Sequence, residues 1–229
     1  MELVLQGIRE AGRLLAGDPE VWAITLLSLQ ISLTATALSL VVGVPAGTLL
    51  ALARFPGRSL VVSLVNTGMG LPPVVVGLFV TILLWRNGAL GALELLYTPT
   101  AIVIAQLVIA APIVTGLTLA AVQQIPPRFR LQLLGLGASR AQMVWVLIKE
   151  ARLPMLAAVM AGFGGVISEV GASMMVGGNI KGSTRVLTTA TVLETGKGNF
   201  DVAIALSLIL LLITFLVNWA LTRIQQQRR

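Results

Sequence analysis

Glu169 is the residue whose type and position most directly suggest chemistry, because it is the acidic residue that lies inside a long apolar segment. A carboxylate at membrane depth is costly unless it faces a cavity or a hydrogen-bonding partner, and such residues usually mark a pathway. The position therefore favours a pathway role. The alternative is a structural carboxylate that accepts hydrogen bonds from neighbouring hydroxyl groups or glycine amides.

The residues around Glu169 are mostly small or polar. Gly162, Gly164, Gly165 and Gly171 would let neighbouring helices approach closely. Residues 177–179, Gly-Gly-Asn, would end the helix, and their free amides could form an anion-binding nest. Glycine-rich helix ends are also ordinary caps, so both interpretations stay open. The candidate pathway or gate residues are Ser168, Glu169, Gly171, Gly178, Asn179 and Thr184.

The composition excludes most enzymatic chemistry. The chain has no His and no Cys, so a Ser–His dyad, a thiolate metal site and a disulfide are all impossible. The apolar segments hold no pair of acids for an aspartyl dyad, and the sequence lacks the Gly-x4-Gly-Lys-Ser/Thr motif that cradles nucleotide phosphates. We therefore predict no catalytic residue, no metal site and no directly bound cofactor.

Residues 127–154, PRFRLQLLGLGASRAQMVWVLIKEARLP, form a charged island in an apolar sequence. The prolines at its start favour the first turn of a new helix, and Gly135 and Gly137 interrupt that helix. Ser139 followed by Gln142 is typical of a capping box and predicts a second helix from about Arg140. Two short helices with a hinge at residues 137–139 suggest a docking element for a soluble partner. An ordinary basic loop is the alternative.

The composition as a whole is that of a membrane protein. Hydrophobic residues make up 56% of the 229 residues and charged residues only 11%, fewer charges than a soluble domain carries. A helical span needs about 20 apolar residues, and the chain offers five such segments. We therefore predict an all-α membrane protein of five transmembrane helices, in contact with lipid. Basic loops explain the net charge of +7, so no nucleic-acid partner is expected.

The order of these segments predicts the domain organisation. Residues 1–20 form an amphipathic interfacial helix, and residues 21–229 form one transmembrane domain. Gly43 and Gly47 predict close helix packing in the first span, and residues 70–73 (Gly-Leu-Pro-Pro) interrupt the second, where freed backbone groups could line a pathway. Residues 177–201 are too polar for a span and are expected to form a loop. The predicted spans are residues 22–53, 60–85, 100–122, 155–176 and 202–221.

The distribution of charges predicts the orientation. If residues 54–58, residues 127–154 and the C-terminal tail are cytoplasmic, that side carries ten Lys and Arg residues and one acid, Glu150. The other side then carries six Lys and Arg residues and seven acids. The positive-inside rule places the N-terminus outside and the C-terminus in the cytoplasm, which agrees with an odd number of spans.

Residues 137–154 resemble the cytoplasmic coupling loop of the membrane permease subunits of ATP-binding-cassette importers. That loop has a glycine followed, after a short interval, by a hydrophobic residue and Leu-Pro. The interval here is about one helical turn longer than usual, and residues 131–133, Leu-Gln-Leu, replace an acidic residue and two alanines. The resemblance implies that this loop couples the chain to an ATPase through Gly137, Ala138, Ser139, Arg140, Glu150, Leu153 and Pro154.

Residues 168–172, Ser-Glu-Val-Gly-Ala, with Gly178, Asn179 and Thr184 after them, are similar to the oxyanion branch of that family, which covers molybdate, tungstate and sulfate permeases. The fuller run to Gly198 is most similar to tungstate permeases, and the resemblance covers nearly all of residues 20–225. It implies the permease fold with a short cytoplasmic coupling-helix loop, in the plasma (inner) membrane of a prokaryote. It also implies a homodimer, two cytoplasmic ATPase subunits that use the ATP, and an extracytoplasmic oxyanion-binding protein.

Within that resemblance we expect Glu169 to hold a gate on the outer side of the pathway. Direct binding of the oxyanion is not expected, because a carboxylate repels a divalent anion strongly at low dielectric. We expect Glu169 to accept hydrogen bonds from the turn at residues 177–184 or from the partner subunit. The alternative function is a secondary anion transporter without an ATPase. Such transporters usually contain inverted repeats and several intramembrane charges, and neither feature is evident in this sequence.

Overall fold

The computed structural model describes residues 2–226, without the side chains of Glu2 and Val4. Arg228 and Arg229, which contribute to the predicted orientation, lie outside the described residues. The described chain is helical and has no strand, which confirms the all-α prediction. A short 3₁₀ turn lies at Gly91–Leu93. The α-helices are α1 Glu2–Gly17, α2 Pro19–Leu52, α3 Arg58–Met69, α4 Pro73–Leu84, α5 Pro99–Gln123, α6 Pro127–Gly135, α7 Arg140–Glu150, α8 Arg152–Ile167, α9 Gly171–Gly177, α10 Leu187–Lys197 and α11 Phe200–Gln226.

Within residues 2–226, three helices, α2, α5 and α11, are long and apolar enough to cross a membrane, and two bent helix pairs raise the number to five if each pair is one span. The pair α3 and α4 turns by 101° at the predicted interruption. Pro72 and Pro73 cannot continue the helical hydrogen bonds there. Two close contacts then hold the halves apart, because Gly68 packs against Pro112 of α5 whereas Gly77 packs against Ala172 of α9.

The predicted span at residues 155–176 is bent, which the sequence did not indicate. The chain bends by 57° between α8 and α9, so Ser168, Glu169 and Val170 lie in a break rather than inside a helix. The fold of this region is set by contacts with α4 and α5, which the local sequence pattern does not encode.

The centre of the molecule is the packing of α2 against α5. Gly43 lies against Val114, and a Cβ atom at Gly47 would come 2.5 Å from the carbonyl oxygen of Thr115. The small residues therefore let the two backbones approach closely, as the sequence predicted. The buried apolar residues Ile31, Val76, Val80, Leu84, Ile102 and Val176 extend this core across α4 and α9.

Helix α1 is formed with an amphipathic pattern of residues, while its position in the membrane interface stays a prediction. Ala11 and Leu14 are buried in a cluster with residues of α11, whereas Leu3, Leu5 and Ile8 are exposed. Asp18 then starts α2, because its side chain accepts hydrogen bonds from the amides of Glu20 and Val21.

The expected loop at residues 177–201 is wrong in its second half, which forms α10. Thr189 supports the start of this helix, because its hydroxyl group accepts a hydrogen bond from the Val186 amide at 3.0 Å. Gly198, with a φ of +82°, ends it in the left-handed conformation that favours glycine. A basic residue followed by glycine is an ordinary helix-end signal, and Lys197 with Gly198 provides it in the sequence.

Candidate functional site

Two segments contain the residues predicted from the sequence, and we name them by their residues. The Glu169 segment comprises residues 168–184, and the charged segment comprises residues 127–154. Helix α8 separates the two, and its 16 residues span about 24 Å. The structure therefore keeps the two groups of candidate residues apart and joins them through one helix.

The Glu169 carboxylate is buried and acts as a cap for α9. Its Oε1 atom accepts a hydrogen bond from the amide of Ala172 at 2.9 Å, and only 8% of the residue is exposed. We expected Glu169 to accept from the turn at residues 177–184, but within the chain its carboxylate accepts from the amide of Ala172 instead. An acidic side chain at this position also stabilises the positive end of the short helix. The alternative interpretation of Glu169, a structural acceptor for amides, thus describes its contact.

The main chain of Glu169 is held from a different direction. The Thr188 hydroxyl group of α10 donates a hydrogen bond to the Glu169 carbonyl oxygen at 2.9 Å. The hydroxyl group of Ser168 is exposed and donates to the carbonyl oxygen of Gly164 at 2.7 Å. Ser168 is therefore the accessible polar residue of the break, while Glu169 is fixed on both its side chain and its main chain.

Glycines allow α9 to lie directly on its neighbours. A Cβ atom at Gly171 would come 2.7 Å from Val74 of α4, and one at Gly177 would come 2.7 Å from Ile102 of α5. Any larger side chain at these two positions would push the helices apart. The position of the Glu169 break thus depends on α4 and α5 together.

The turn that follows α9 is closed by Thr184, which is fully buried. Its hydroxyl group donates to the carbonyl oxygen of Gly177 and accepts from the amide of Ile180. Gly178 and Asn179 both have positive φ, +70° and +51°. The amide of Gly178 donates to Met174, so the amides of residues 178 and 180 are already used. This favours the cap over the anion-binding nest.

Residues that the sequence analysis did not single out hold this turn in place. Tyr97 has a φ of +63°, its amide donates to the Val176 carbonyl oxygen at 2.8 Å, and its ring lies against Gly178. The Leu187 amide donates to the Ser28 hydroxyl group of α2 at 2.8 Å. No local pattern in the sequence indicates either contact, because the partners are far apart in the chain.

A group of charges joins the start of α2 to the same turn. The Glu20 carboxylate contacts Lys181 at 2.6 Å and Arg185 at 3.4 Å. Arg185 is the more buried of the two basic residues. The sequence alone does not predict this pairing, because many other acidic and basic residues could have paired by charge. The Glu169 segment is therefore fixed from α2, α5 and α10, and also from Tyr97.

The charged segment is organised by local hydrogen bonds instead. Gly137, with a φ of +83°, follows α6 and has no atom within 4 Å of the position of a Cβ atom. Its amide donates to Leu134, and the amide of Ala138 donates to Leu133, each at 3.0 Å. These two bonds form a Schellman motif, in which the residue after the helix takes the left-handed conformation. Gly137 is thus required for its backbone conformation rather than for lack of space.

The capping box predicted at Ser139 is present. The Ser139 hydroxyl group accepts from the Gln142 amide at 3.3 Å, and the Ser139 amide donates to the Gln142 side chain at 2.8 Å. Helix α7 begins at Arg140, as the sequence predicted. Ser139 and Arg140 are exposed, so the residues of the hinge are available to a partner.

The inner side of the charged segment packs on the end of the membrane domain. Leu147 is fully buried with Val122 and Met155. Glu150 and Pro154 border a cavity of about 400 Å³ together with Arg128. The Leu153 carbonyl oxygen accepts a hydrogen bond from Gln225 at the end of α11. The start of α8 is therefore tied both to α7 and to the last helix.

The outer side of the charged segment carries apolar side chains next to its charges. Leu136 is 85% exposed and Trp145 is 62% exposed, and Leu131 and Leu134 are also exposed. Isolated exposed apolar residues are common, but a group of them within one short segment marks a site of interaction. The arrangement fits the docking interpretation better than that of an ordinary basic loop.

Comparison with known proteins gives the family. The sequence model of the binding-protein-dependent transport system inner membrane component matches residues 43–229. A tungstate uptake system permease protein of Peptoclostridium acidaminophilum is 39% identical over 228 residues, covering 99% of this chain and 100% of the relative. A probable anion ABC transporter permease protein of Haloferax volcanii is 41% identical over 201 residues, covering 86% and 87% of the two chains.

Two more distant matches are a permease named for molybdenum transport and a solved structure with the same fold. The molybdenum transport system permease protein of Escherichia coli is 28% identical over 223 residues, covering 92% of this chain and 97% of the relative. Among solved structures, the inward-facing MetNI methionine ABC transporter matches with a TM-score of 0.75 at 22% identity, covering 92% of this chain and 98% of that chain. The predicted permease fold is confirmed by this match. The chain belongs to the family of binding-protein-dependent transport system inner membrane components.

Proposed function

We propose that this chain is the permease subunit of an ATP-driven oxyanion importer, with tungstate as the first candidate and molybdate and sulfate as the alternatives. The observation that carries the proposal is the full-length similarity, at 39% identity, to a tungstate uptake permease. Relatives named for molybdenum and sulfate transport are 28% and 26% identical, which supports the oxyanion class more broadly than any one anion.

The charged segment supplies the contact with the ATPase in this proposal. Its hinge residues Gly137, Ala138 and Ser139 lie between α6 and α7, and Arg140 is the first residue of α7. The apolar side chains of Leu136 and Trp145 are exposed beside them. Glu150 is the last residue of α7, and Leu153 and Pro154 lie in the first turn of α8, so these residues join the two helices. ATP is hydrolysed by two separate cytoplasmic subunits, and this chain contributes the pathway alone.

The Glu169 segment supplies the gate in this proposal. A movement of α7 on the ATPase would be carried along α8 to the break at residues 168–170, because α8 is continuous from Arg152 to Ile167. The Glu169 carboxylate, held by the amide of Ala172, keeps the break in one conformation. Gly171, Gly178, Asn179 and Thr184 form the rest of the element that opens, and Ser168 is its exposed polar residue.

Two copies of the chain form the pathway in this proposal, with an extracytoplasmic binding protein delivering the anion. Helix α3 has no buried residue within the described part of the chain, so its apolar side chains are available to lipid or to a second copy.

The distribution of basic residues supports an external N-terminus and a cytoplasmic C-terminus. We test the orientation with cysteines placed at Lys181 or Arg140, because the chain has none of its own. A membrane-impermeant thiol reagent should label the first from outside but not the second, and reversed labelling would overturn the orientation.

The function is tested with the permease, its ATPase and its binding protein reconstituted in vesicles. Tungstate uptake should require ATP and the binding protein, and it should not respond to a sodium or proton gradient alone. Uptake by the permease without ATPase, driven by such a gradient, would favour the secondary transporter. Calorimetric affinities of the binding protein for tungstate, molybdate and sulfate then identify the anion.

A further inference from the structure

A second cavity along the charged segment is lined by residues of α7 other than Glu150. It has a volume of about 710 Å³ and separates the C-terminal end of α2 from α7. Apolar side chains, among them Leu49, Leu52, Val144 and Ile148, form most of its walls. Leu49 is 65% exposed, so the cavity is open to the surroundings. Its volume is within the range of about 300–1,000 Å³ that small-molecule sites occupy.

One end of this cavity attracts anions. Arg140 is the one charged residue among the lining residues, all of which belong to the described part of the chain. It is also the first residue of α7, whose 11 residues place the positive end of a helix dipole beside it. The amides of the first turn have no partners inside a helix, and the capping box uses that of Gln142. The guanidinium group and the first turn therefore favour a negatively charged group at the same place.

The position of the cavity along α2 matches the surface of a bilayer. The lining residues of α2 run from Pro45 to Leu52, about 10 Å along the helix axis, and the exposed Arg54 follows after Ala53. An apolar wall followed by basic residues, here Arg54 after α2 and Arg140 at the start of α7, is the pattern found where a membrane helix leaves the hydrocarbon. Basic pockets between membrane helices and their loops bind anionic lipid headgroups.

We propose that this cavity binds one anionic glycerophospholipid from the surrounding leaflet. An acyl chain lies along Leu49, Leu52 and Val144, and the phosphate contacts Arg140 at the start of α7. The bound lipid connects α7 to α2, so the orientation of the charged segment depends on the lipid as well as on protein contacts. Binding needs neither ATPase nor transported anion, so it can be tested whether or not the proposed function is correct.

The test is native mass spectrometry of the purified permease titrated with phosphatidylglycerol or with phosphatidylcholine of the same acyl chains. We expect the wild type to retain one phosphatidylglycerol with about fivefold higher affinity than phosphatidylcholine, the effect of one basic residue near a membrane surface. Arg140→Gln should remove this preference. Leu49→Trp, which fills the cavity, should weaken the binding of both lipids.

Matched variants keep the result specific. Arg223→Gln removes an exposed arginine of α11, and Leu33→Trp enlarges an exposed leucine of α2, and neither residue lines the cavity. Both should bind phosphatidylglycerol as the wild type does. Equal retention of the two lipids by the wild type, or equal losses in the matched variants, would overturn the proposal. A Leu49→Trp variant that shifts the monomer–dimer distribution, or loses a co-purifying ATPase, while it binds both lipids as tightly as the wild type would instead assign the cavity to a protein partner.

Discussion

The Glu169 segment and the charged segment both turn at a glycine with positive φ, but they keep their shapes in different ways. Gly137 has open space around it, and its turn is closed by bonds between residues of α6 and the hinge. Gly178 has the ring of Tyr97 against it, and its turn contacts Glu20 of α2, Ile102 of α5 and the Thr189 carbonyl oxygen of α10. The first segment has a locally determined shape and exposed apolar residues, as a docking element needs. The second is buried and depends on the whole fold, as a gate that must stay closed at rest would require.

The largest effect is expected where the local turn is broken. Gly137→Trp must adopt a φ of +83° with a bulky side chain, which costs about 1–2 kcal/mol, and the side chain also stands in the exposed hinge. We expect the variant to insert into the membrane but to lose the ATPase and transport, measured by co-purification and vesicle uptake.

Gly137→Asn is the matched control, because asparagine tolerates the left-handed conformation. It should retain most of the ATPase. The same change at Gly178 should be damaging, since Tyr97 lies 2.9 Å from the position of the new Cβ atom. Wild-type transport by Gly137→Trp would count against docking, and equal behaviour of the two asparagine variants would remove the distinction between the segments.

The second effect concerns the Glu169 cap. Glu169→Ala removes the acceptor for the Ala172 amide, and the loss of a cap costs about 1 kcal/mol. If the break is a gate, a transporter assembled with this variant should hydrolyse ATP without coupled anion uptake. Glu169→Gln keeps an acceptor oxygen and should lose less of the coupling. Normal transport and normal coupling in both variants would show that the carboxylate is merely tolerated.

The third effect compares one polar contact from each segment. Thr184→Val leaves the Gly177 carbonyl oxygen and the Ile180 amide without a buried partner, which costs about 1–3 kcal/mol. Ser139→Ala removes an exposed cap and should cost about 1 kcal/mol or less. Thermal unfolding of the purified permease should rank them in that order, and Thr184→Ser should behave like the wild type. If Ser139→Ala lowered the stability more than Thr184→Val, the charged segment would not be the less tightly held of the two.

The smallest effect lies outside both segments, at the end of α10. The hydrogen bond from Asn199, with a further one from Lys197, lowers the pKa of Glu194. A lowered pKa in the folded state stabilises the protein above the unfolded pKa of about 4.3, and this contribution is lost as the pH falls through the folded pKa. Glu194→Gln should therefore lower stability slightly at pH 7, by about 0.5 kcal/mol or less, and not at all in strong acid. If the difference in stability between Glu194→Gln and the wild type grew as the pH fell, the pKa of Glu194 would not be lowered by folding.

The sequence predicted the features that depend on neighbouring residues. The hinge at Gly137, the capping box at Ser139 and the amphipathic α1 each follow from short spacings. It did not predict the bend at Glu169 or the roles of Tyr97 and Ser28. These features arise from contacts between helices far apart in the chain, and Ser28 and Leu187 are separated by 159 residues. Within the chain, the Glu169 carboxylate accepts from the amide of Ala172, only three residues away, and not from the turn at residues 177–184. This local cap was missed because the sequence did not indicate that a helix starts at Gly171.

The hydrogen bond between Ser28 and Leu187 also has a consequence for the synthesis of the protein. A nascent chain can close the turn at Gly137 as soon as residues 127–142 have emerged, because every partner is local. The Glu169 segment cannot reach its final form until α10 exists, when more than four fifths of the 229 residues have been made. Contacts between distant residues form late, and domains fold as their residues become available. The turn at Gly137 can therefore form before the break at Glu169 reaches its final conformation, so the two turns mature at different stages of synthesis.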